Sequence, residues 1–129
     1  MTYIKPTDPI LISGPGSKLS LKANGAVYAG QALTAYGNLE CDQAAATDDA
    51  FIGVAQYDVA DNGYVTVLGK GNIVRMIVEG SSVCAVGDAM MTVGTEGKIS
   101  NAGLAAGLKI GVALETQATD DGTVRIQLV

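Results

Sequence analysis

The chain of 129 residues contains no histidine and no tryptophan. Without histidine the protein lacks the commonest general base, the imidazole of the usual serine and cysteine triads, and the commonest metal ligand. Ser81, Ser82 and Cys84 therefore have no imidazole partner, and two cysteines alone are too few ligands for a zinc site. We expect no catalytic residue, no metal and no cofactor, and we predict that the protein is not an enzyme.

Cysteine occurs only twice, as Cys41 and Cys84. A disulfide between them is compatible with the sequence but is not required by it. A cysteine outside a disulfide framework behaves as a small hydrophobic side chain and is often buried. The sequence therefore favours two buried thiols over one disulfide.

Positive charge is scarce and dispersed. Eight Lys and Arg residues against 13 Asp and Glu residues give a formal net charge of −5, and no basic cluster could neutralise a run of phosphates. No apolar run approaches the length of a membrane span, and the N-terminus lacks the pattern of a secretory signal. We expect no nucleic-acid partner, no membrane partner, and a protein kept inside a cell or inside something assembled there.

Proline is also rare, and all three prolines lie within residues 1–18. Proline removes a backbone donor and forces the preceding residue into an extended conformation. Between two of the prolines lies a short apolar run, Ile10-Leu11-Ile12. This pattern predicts an extended N-terminal arm over residues 1–18 with one apolar segment, followed by a single β domain over residues 19–129.

The rest of the chain is apolar and rich in glycine, with 48% hydrophobic residues and 17 glycines. Apolar and polar residues alternate at Leu19–Lys22, Tyr64–Leu68 and Val124–Leu128, which is typical of half-buried strands. Turn pairs favoured in tight hairpins recur between these segments. They are Asn24-Gly25, Gly37-Asn38, Asn62-Gly63, Glu79-Gly80, Glu96-Gly97 and Asp121-Gly122. The sequence predicts an all-β barrel or sandwich.

Two segments share one pattern. Residues 51–71 read FIGVAQYDVADNGYVTVLGKG and residues 109–129 read KIGVALETQATDDGTVRIQLV. Each contains Ile-Gly-Val-Ala, an acidic turn with glycine, and an alternating apolar segment. The glycine inside each first segment predicts a bulge or a close approach of another backbone.

The likeness extends beyond these segments. Leu19 can be set against Met76 without a gap, and the match then continues to the C-terminus with insertions that fall in turns. The sequence therefore predicts two tandem units of about 57 residues, at about 14–70 and 71–129. A unit of that size buries too little surface to be stable alone, so we expect a shared core.

The acidic pairs and the glycine-rich stretches have two readings. Asp48-Asp49, Asp58 with Asp61, and Asp120-Asp121 could hold a weakly bound cation, but aspartate is favoured in turns for local hydrogen bonds. No pattern matches the twelve-residue calcium loop. The stretches SGPGSK and LGKG lack the spacing of a phosphate-binding loop and do not precede a helix. We predict that these residues are structural.

The aromatic residues are distributed unevenly. The first unit holds Tyr28, Tyr36, Tyr57, Tyr64 and Phe51, Tyr3 lies in the arm, and the second unit has none. One reading is that the first unit supplies the bulk of the core. The other is that some tyrosines face a partner, because their amphipathic rings make good anchors. The asymmetry favours the second reading.

The pattern AVYAGQAL, then FIGVA, then YVTVLGKG resembles the small capsid decoration, or cement, proteins of tailed phages. The likeness covers about residues 19–129, and its second half runs from VGDAMM to KIGVAL. It implies a β-rich protein present in many copies, as trimers or dimers, on the outside of an icosahedral head. Such proteins bridge neighbouring capsid subunits. The motifs are structural and carry no contact residue over to this chain.

We therefore predict a structural virion protein that binds the outer capsid surface and cements neighbouring subunits. Its partners would be the major capsid protein and further copies of itself, as a trimer or alternatively a dimer. Another virion part, such as a tail or spike domain, and a small β-barrel that binds a ligand or is an enzyme are the alternatives. The candidate partner-binding residues are Tyr3, Ile4, Ile10, Leu11, Ile12, Tyr57 and Tyr64.

Overall fold

The computed structural model describes residues 9–14, 16–44, 50–79, 84–92, 97–101, 109–117 and 122–129. These residues form eleven strands, and the described part of the chain contains no helix. The predicted all-β class is therefore confirmed. The strands are β1 (Leu11–Ser13), β2 (Lys18–Ala23), β3 (Ala32–Ala35), β4 (Glu40–Gln43), β5 (Phe51–Ala55), β6 (Tyr64–Leu68), β7 (Ile73–Ile77), β8 (Ala89–Thr92), β9 (Ile99–Ser100), β10 (Gly111–Ala113) and β11 (Thr123–Leu128).

Five strands close into a barrel in the order β2-β4-β3-β5-β6. Strand β2 runs antiparallel to β6 and closes the barrel by parallel pairing with β4, with Ala23 opposite Cys41. Alternate side chains of each strand point inward, because successive residues face opposite sides of a sheet. The buried residues that fill the barrel are Leu21, Ala23, Val27, Leu33, Cys41, Ala55, Val65 and Val67.

The other six strands form a sheet in the order β1-β7-β11-β10-β8-β9. Its inner side carries a larger apolar cluster that includes Met76, Met90 and Ile126. Ala32, Val54 and Leu68 of the barrel strands belong to the same cluster. The barrel and the sheet therefore bury apolar surface against each other, as the sequence predicts for units that are too small to be stable alone.

The two sheets share one order of strands. From β2 the barrel reads β2-β6-β5-β3-β4, and from β7 the sheet reads β7-β11-β10-β8-β9. The parallel contact that closes the barrel also has a counterpart in the sheet. Val78 forms a parallel bridge with Ile99, at the position where Ala23 pairs with Cys41 in the barrel. These pairings agree with a repeated unit, although the origin of the two sheets in a tandem repeat stays a prediction.

The strand registers match as well. Ala55 lies opposite Val67 in the barrel, and Ala113 lies opposite Ile126 in the sheet. Gly53 and Gly111 precede these alanines, and each backbone lies very close to the neighbouring strand. A Cβ built on Gly53 would lie 2.5 Å from the carbonyl oxygen of Leu68, and one on Gly111 would lie 2.6 Å from that of Gln127. The close backbone approach predicted from the two glycines is therefore present.

The register of β2 and β7 differs from the ungapped match of the sequence. Leu19 lies opposite Val67, whereas Val74 lies opposite Ile126. Since Val67 and Ile126 occupy matching positions, the counterpart of Leu19 is Val74 and not Met76. The connection from β7 to Cys84 is longer than the connection from β2 to Val27, which is the residue that matches Cys84. An ungapped alignment places the extra residues in the strand instead of in this connection.

The N-terminal segment differs from the predicted extended arm. Residues 1–8 lie outside the described residues, and Lys18 already belongs to β2. Strand β1 pairs with β7 of the same chain, and Ile10 is only 4% exposed within the core of the sheet. The physical reason is that the apolar run covers the edge of β7, where Ile10 becomes buried and Leu11 and Ile12 become half-buried.

Candidate partner-binding surface

A row of outward-facing side chains crosses three strands of the barrel. Tyr64 on β6 lies opposite Lys22 on β2, and Lys22 in turn pairs with Glu40 on β4. Val65 and Leu21, the neighbours of Tyr64 and Lys22, point into the barrel, so alternation turns this row outward. Tyr64 is 72% exposed, and its ring is therefore available to a partner.

The turn between β3 and β4 adds a second exposed apolar group beside this row. Leu39 is 82% exposed and has a φ of 58°, and its carbonyl oxygen accepts a hydrogen bond from the N–H of Lys22 at 3.2 Å. A bulky residue rarely adopts positive φ, because its Cβ approaches the following carbonyl. Tyr36 in the same turn is also exposed. We name Tyr36, Leu39 and Tyr64 the barrel-rim patch.

Tyr57 and Tyr28 lie at another part of the barrel. Val27 and Val59 form an antiparallel bridge, and the N–H of Ala29 donates to the carboxylate of Asp58 at 2.9 Å. These contacts hold the loop after β2 against the β5–β6 connection. Tyr57 is 60% exposed, and Tyr28 is also exposed. Neither ring is a core residue, which disfavours the reading of the tyrosines as core bulk.

The six-stranded sheet carries different side chains at the matching positions. Thr123 lies opposite Ile77, where the barrel has Tyr64 opposite Lys22. Beside it, the guanidinium of Arg125 donates to the carboxylate of Glu115 at 2.9 Å. That hydrogen bond lowers the pKa of Glu115. Among the described residues, the exposed tyrosines therefore belong to the barrel and not to the six-stranded sheet.

The acidic turn residues that the structure describes bond to backbone groups. Asp61 accepts from the N–H of Gly25 at 2.8 Å, and Asp88 accepts from that of Ala85 at 2.8 Å. The backbone donor and the amide of Asn101 together lower the pKa of Asp88. Among the described residues, no group of acidic, cysteine or histidine side chains could hold a metal ion. The pairs Asp48-Asp49 and Asp120-Asp121 lie outside the described residues.

The two cysteines are separate buried thiols. Cys41 packs in the barrel cluster, and Cys84 packs in the cluster of the sheet. Both are free, and burial raises the pKa of each thiol above its ordinary value. A raised pKa leaves little thiolate at neutral pH, so neither cysteine is suited to nucleophilic chemistry.

The predicted partner-binding residues fall into three groups. Tyr3 and Ile4 lie outside the described residues. Ile10 is in the core, and the half-buried Leu11 and Ile12 lie in β1. The structure places the remaining two, Tyr57 and Tyr64, on an exposed surface.

Sequence reasoning missed Leu39. An apolar residue directly after the Gly37-Asn38 turn pair is the signal that could have found it.

The described part of the chain holds no helix with the length and hydrophobicity that crossing a bilayer requires.

No family model and no curated protein sequence matches the chain. The barrel and its companion sheet nevertheless define a fold that is known from a protein of a phage head. The crystal structure of head fiber gp8.5 N base in bacteriophage phi29 is similar to this chain with a TM-score of 0.63. The match covers 88% of this chain and 93% of that chain at 23% sequence identity. The predicted resemblance to a phage head protein is therefore confirmed at the level of the fold.

Proposed function

We propose that this chain is a structural protein of a phage virion that binds the outside of the icosahedral head and joins neighbouring subunits of the major capsid protein. The observation that carries the proposal is the fold shared with the head fiber base over nearly the whole length of both chains. The resemblance of the strand motifs to phage cement proteins supports the finer role. In this proposal the protein has no catalytic role.

The surface of the barrel supports a binding role. Tyrosine is enriched at the energetic centres of protein interfaces. Tyr64 and Leu39 are both strongly exposed, and Leu39 holds a strained backbone conformation. Strain of this kind persists where the surrounding structure imposes it and often marks a functional contact. We assign the barrel-rim patch and Tyr57 as the surface that faces the capsid.

A sedimentation experiment tests this function. The purified protein is mixed at micromolar concentration with expanded heads that lack it, and the heads are pelleted. We expect saturable co-sedimentation with a fixed number of copies per head. Protein that remains in the supernatant would overturn the proposal.

Variants test the assigned surface. Tyr64→Ser removes a central anchor and should weaken head binding at least about tenfold, which corresponds to about 1.4 kcal/mol. Tyr57→Ser tests the second site in the same way. Val86→Ser is the matched control, because Val86 is 66% exposed in the turn before β8, away from the barrel. Equal loss of binding in all three variants would contradict the assignment.

A second candidate function is the base of a fiber that projects from the head. The observation that favours it is the solved neighbour, which is itself the base of a head fiber. Imaging of particles that carry the labelled protein separates the two candidates. A label at every capsid junction supports cement, whereas a label at the foot of sparse projections supports a fiber base. A label on the tail or on a spike would exclude both.

The proposed partners include further copies of the chain. Many copies on one lattice bind with avidity that exceeds the affinity of one contact. We expect a trimer, or alternatively a dimer, on the head. Sedimentation equilibrium of the purified protein measures the state in solution, and a monomer at all concentrations would confine self-association to the head surface.

A further inference from the structure

The edge of β7 is covered by a strand of the same chain. Strand β1 pairs antiparallel with β7, with Leu11 opposite Val74. The N–H of Arg75 donates to the carbonyl oxygen of Ile10 at 2.8 Å. Val74 is 0% exposed. A very short apolar segment is therefore sufficient to satisfy the backbone of this edge and to bury its inward side chain.

The matching edge in the barrel belongs to β2. Leu19 is the counterpart of Val74, and Ser20 is the counterpart of Arg75, by the registers of the two sheets. Strand β4 pairs with β2 only at Lys22 and Ala23. Among the residues that the structure describes, none pairs with the first half of β2 on this edge.

The direction of the backbone groups identifies the open positions. Successive residues of a strand point their N–H and C=O groups to alternate sides. The N–H of Lys22 points toward β4, because it donates to Leu39. The backbone groups of Lys18 and Ser20 therefore point to the same side, where both residues are exposed. We name residues 18–21 of this side the open β2 edge.

The side chain of Leu19 also indicates that the described residues leave this edge uncovered. It shares the inward direction of Leu21 and Ala23, yet it is 45% exposed. Its counterpart Val74, beneath β1, is fully buried. Covering this leucine with an added apolar segment would remove apolar surface from water, which is favourable.

We propose that the open β2 edge is a docking site for an extended apolar segment of a second protein in the particle, which adds to the barrel as an antiparallel strand. The segment accepts a hydrogen bond from the N–H of Ser20 and places an apolar side chain over Leu19. This arrangement repeats the contacts that β1 makes with β7. Strand addition of this kind takes affinity from main-chain hydrogen bonds and specificity from alternate side chains.

The charge around the edge selects the chemistry of the segment. Lys18 lies on the open part of β2, and Lys70 is held beside the start of this strand because its carbonyl oxygen accepts from the N–H of Ser17 at 2.9 Å. These lysines favour a segment that carries an acidic residue next to its apolar positions. They also oppose the pairing of two β2 edges, since like charges would face each other.

The occupant is a different protein and not a second copy of this chain. The described segment of this chain that has the required pattern is β1, and each copy uses β1 on its own β7. Moving β1 to another copy would open one edge to close another. The inference rests on the proposed function in naming a neighbour in the virion, but the edge itself can be tested without particles.

The probe is a synthetic peptide with the sequence of residues 7–13, Thr-Asp-Pro-Ile-Leu-Ile-Ser, which carries the apolar run and one acidic residue. It is titrated to millimolar concentration into the isotope-labelled full chain, and backbone amides are followed by NMR. We expect the amides of Lys18 and Ser20 to shift and to become protected from hydrogen exchange. Shifts centred on Arg75 would mean that the peptide displaces β1, and they would overturn the proposal, as would no shift at all.

Substitutions at one position separate the backbone from the side chain. Ser20→Pro removes the edge donor, and proline is tolerated on an edge whose N–H faces solvent, so the fold should persist while peptide affinity falls at least tenfold. Ser20→Thr keeps the donor and should bind as the natural chain does. Leu19→Ser provides a second test that leaves the backbone intact, and it should weaken binding severalfold. Natural affinity in both Ser20→Pro and Leu19→Ser would overturn the proposal.

Two further results distinguish the alternatives. Self-association that rises with concentration and is abolished by Ser20→Pro would assign the edge to a second copy, which overturns the assignment to a different protein. Peptide binding that depends on Ser20, without binding to heads, would support the open β2 edge and contradict the capsid function. Head binding that Ser20→Pro does not change would leave the capsid function standing and contradict this inference.

Discussion

Arg75 holds the segment before β1 by two hydrogen bonds. Its backbone N–H donates to the carbonyl oxygen of Ile10 at 2.8 Å, and its side-chain Nε donates to that of Pro9 at 3.2 Å. Strand β1 has only three residues, so its ladder alone contributes little. The burial of Ile10 and the two bonds from Arg75 together fix this segment on the sheet.

Replacement of Ile10 should therefore destabilise the whole domain. Ile10→Ala removes a side chain that is buried against the sheet core, and such substitutions cost about 2–5 kcal/mol. Urea denaturation measures the free energy of unfolding. Ile12→Ala, at a half-buried position of β1, is the control and should cost distinctly less. Equal, small effects would mean that the N-terminal segment is not part of the folded core.

For the N-terminal segment, the sequence did not predict which strand edge the apolar run covers. Proline placement and the apolar run indicate an extended conformation, which the structure shows for Leu11 and Ile12 in β1. The same run fits the edge of its own sheet and the edge of a neighbour equally well, because strand pairing depends on backbone groups that every residue carries. The choice between them depends on the open edge of β7, which is a tertiary feature that no local pattern encodes.

Other parts of the fold were predictable because they are local. Alternation predicted β2 and β6 of the barrel and β11 of the sheet, and the glycines at Gly53 and Gly111 predicted the close backbone approach. For the proposed binding surface, the exposure of Tyr57 and Tyr64 agrees with the reading drawn from their uneven distribution. The positive φ of Leu39 was not predictable, since leucine has no local preference for that conformation.

The two close-approach glycines should tolerate no side chain. Gly53→Ala would place its Cβ against the carbonyl oxygen of Leu68, and Gly111→Ala would place its Cβ against that of Gln127. Overpacking of this kind typically costs about 1–3 kcal/mol, and occasionally more. Gly37→Ala is the matched control, because its nearest contact is an ordinary 3.6 Å to Glu40. Thermal unfolding of the three variants checks the difference, and a melting temperature of Gly53→Ala as high as that of Gly37→Ala would refute it.

The ion pair of the sheet makes a prediction about pH. The hydrogen bond from Arg125 lowers the pKa of Glu115 in the folded protein. The pair therefore stabilises the fold above the ordinary pKa of glutamate, and this contribution is lost as the pH falls through the lowered pKa. The effect is small and sensitive to salt, because the side chains of Arg125 and Glu115 are 49% and 32% exposed and solvent screens such pairs. Glu115→Gln should reduce the unfolding midpoint at neutral pH and should match the natural chain in acid. A difference that grows in acid would have the wrong sign.

The buried thiols should resist reagents in the native state. Burial is the largest effect on the pKa of both Cys41 and Cys84, and it raises each pKa. Little thiolate is therefore present, and reagents have poor access to the sulfur atoms. An aromatic disulfide reagent should therefore react slowly with the folded chain and rapidly with the urea-unfolded chain. Cys84→Ser isolates Cys41 and should react just as slowly. Rapid reaction of one thiol in the native protein would show that its cluster opens readily.

Leu39 should show a conflict between stability and binding. Its positive φ of 58° costs an ordinary residue about 1–2 kcal/mol, and glycine relieves this strain while losing about 0.5–1 kcal/mol of conformational entropy. Leu39→Gly should therefore unfold at the same or a slightly higher urea concentration than the natural chain, yet bind expanded heads more weakly. Leu39→Ala keeps the strain and loses the apolar contact, so it should bind weakly without any gain in stability. If both variants bind heads as tightly as the natural chain, the strained leucine serves no contact with the capsid.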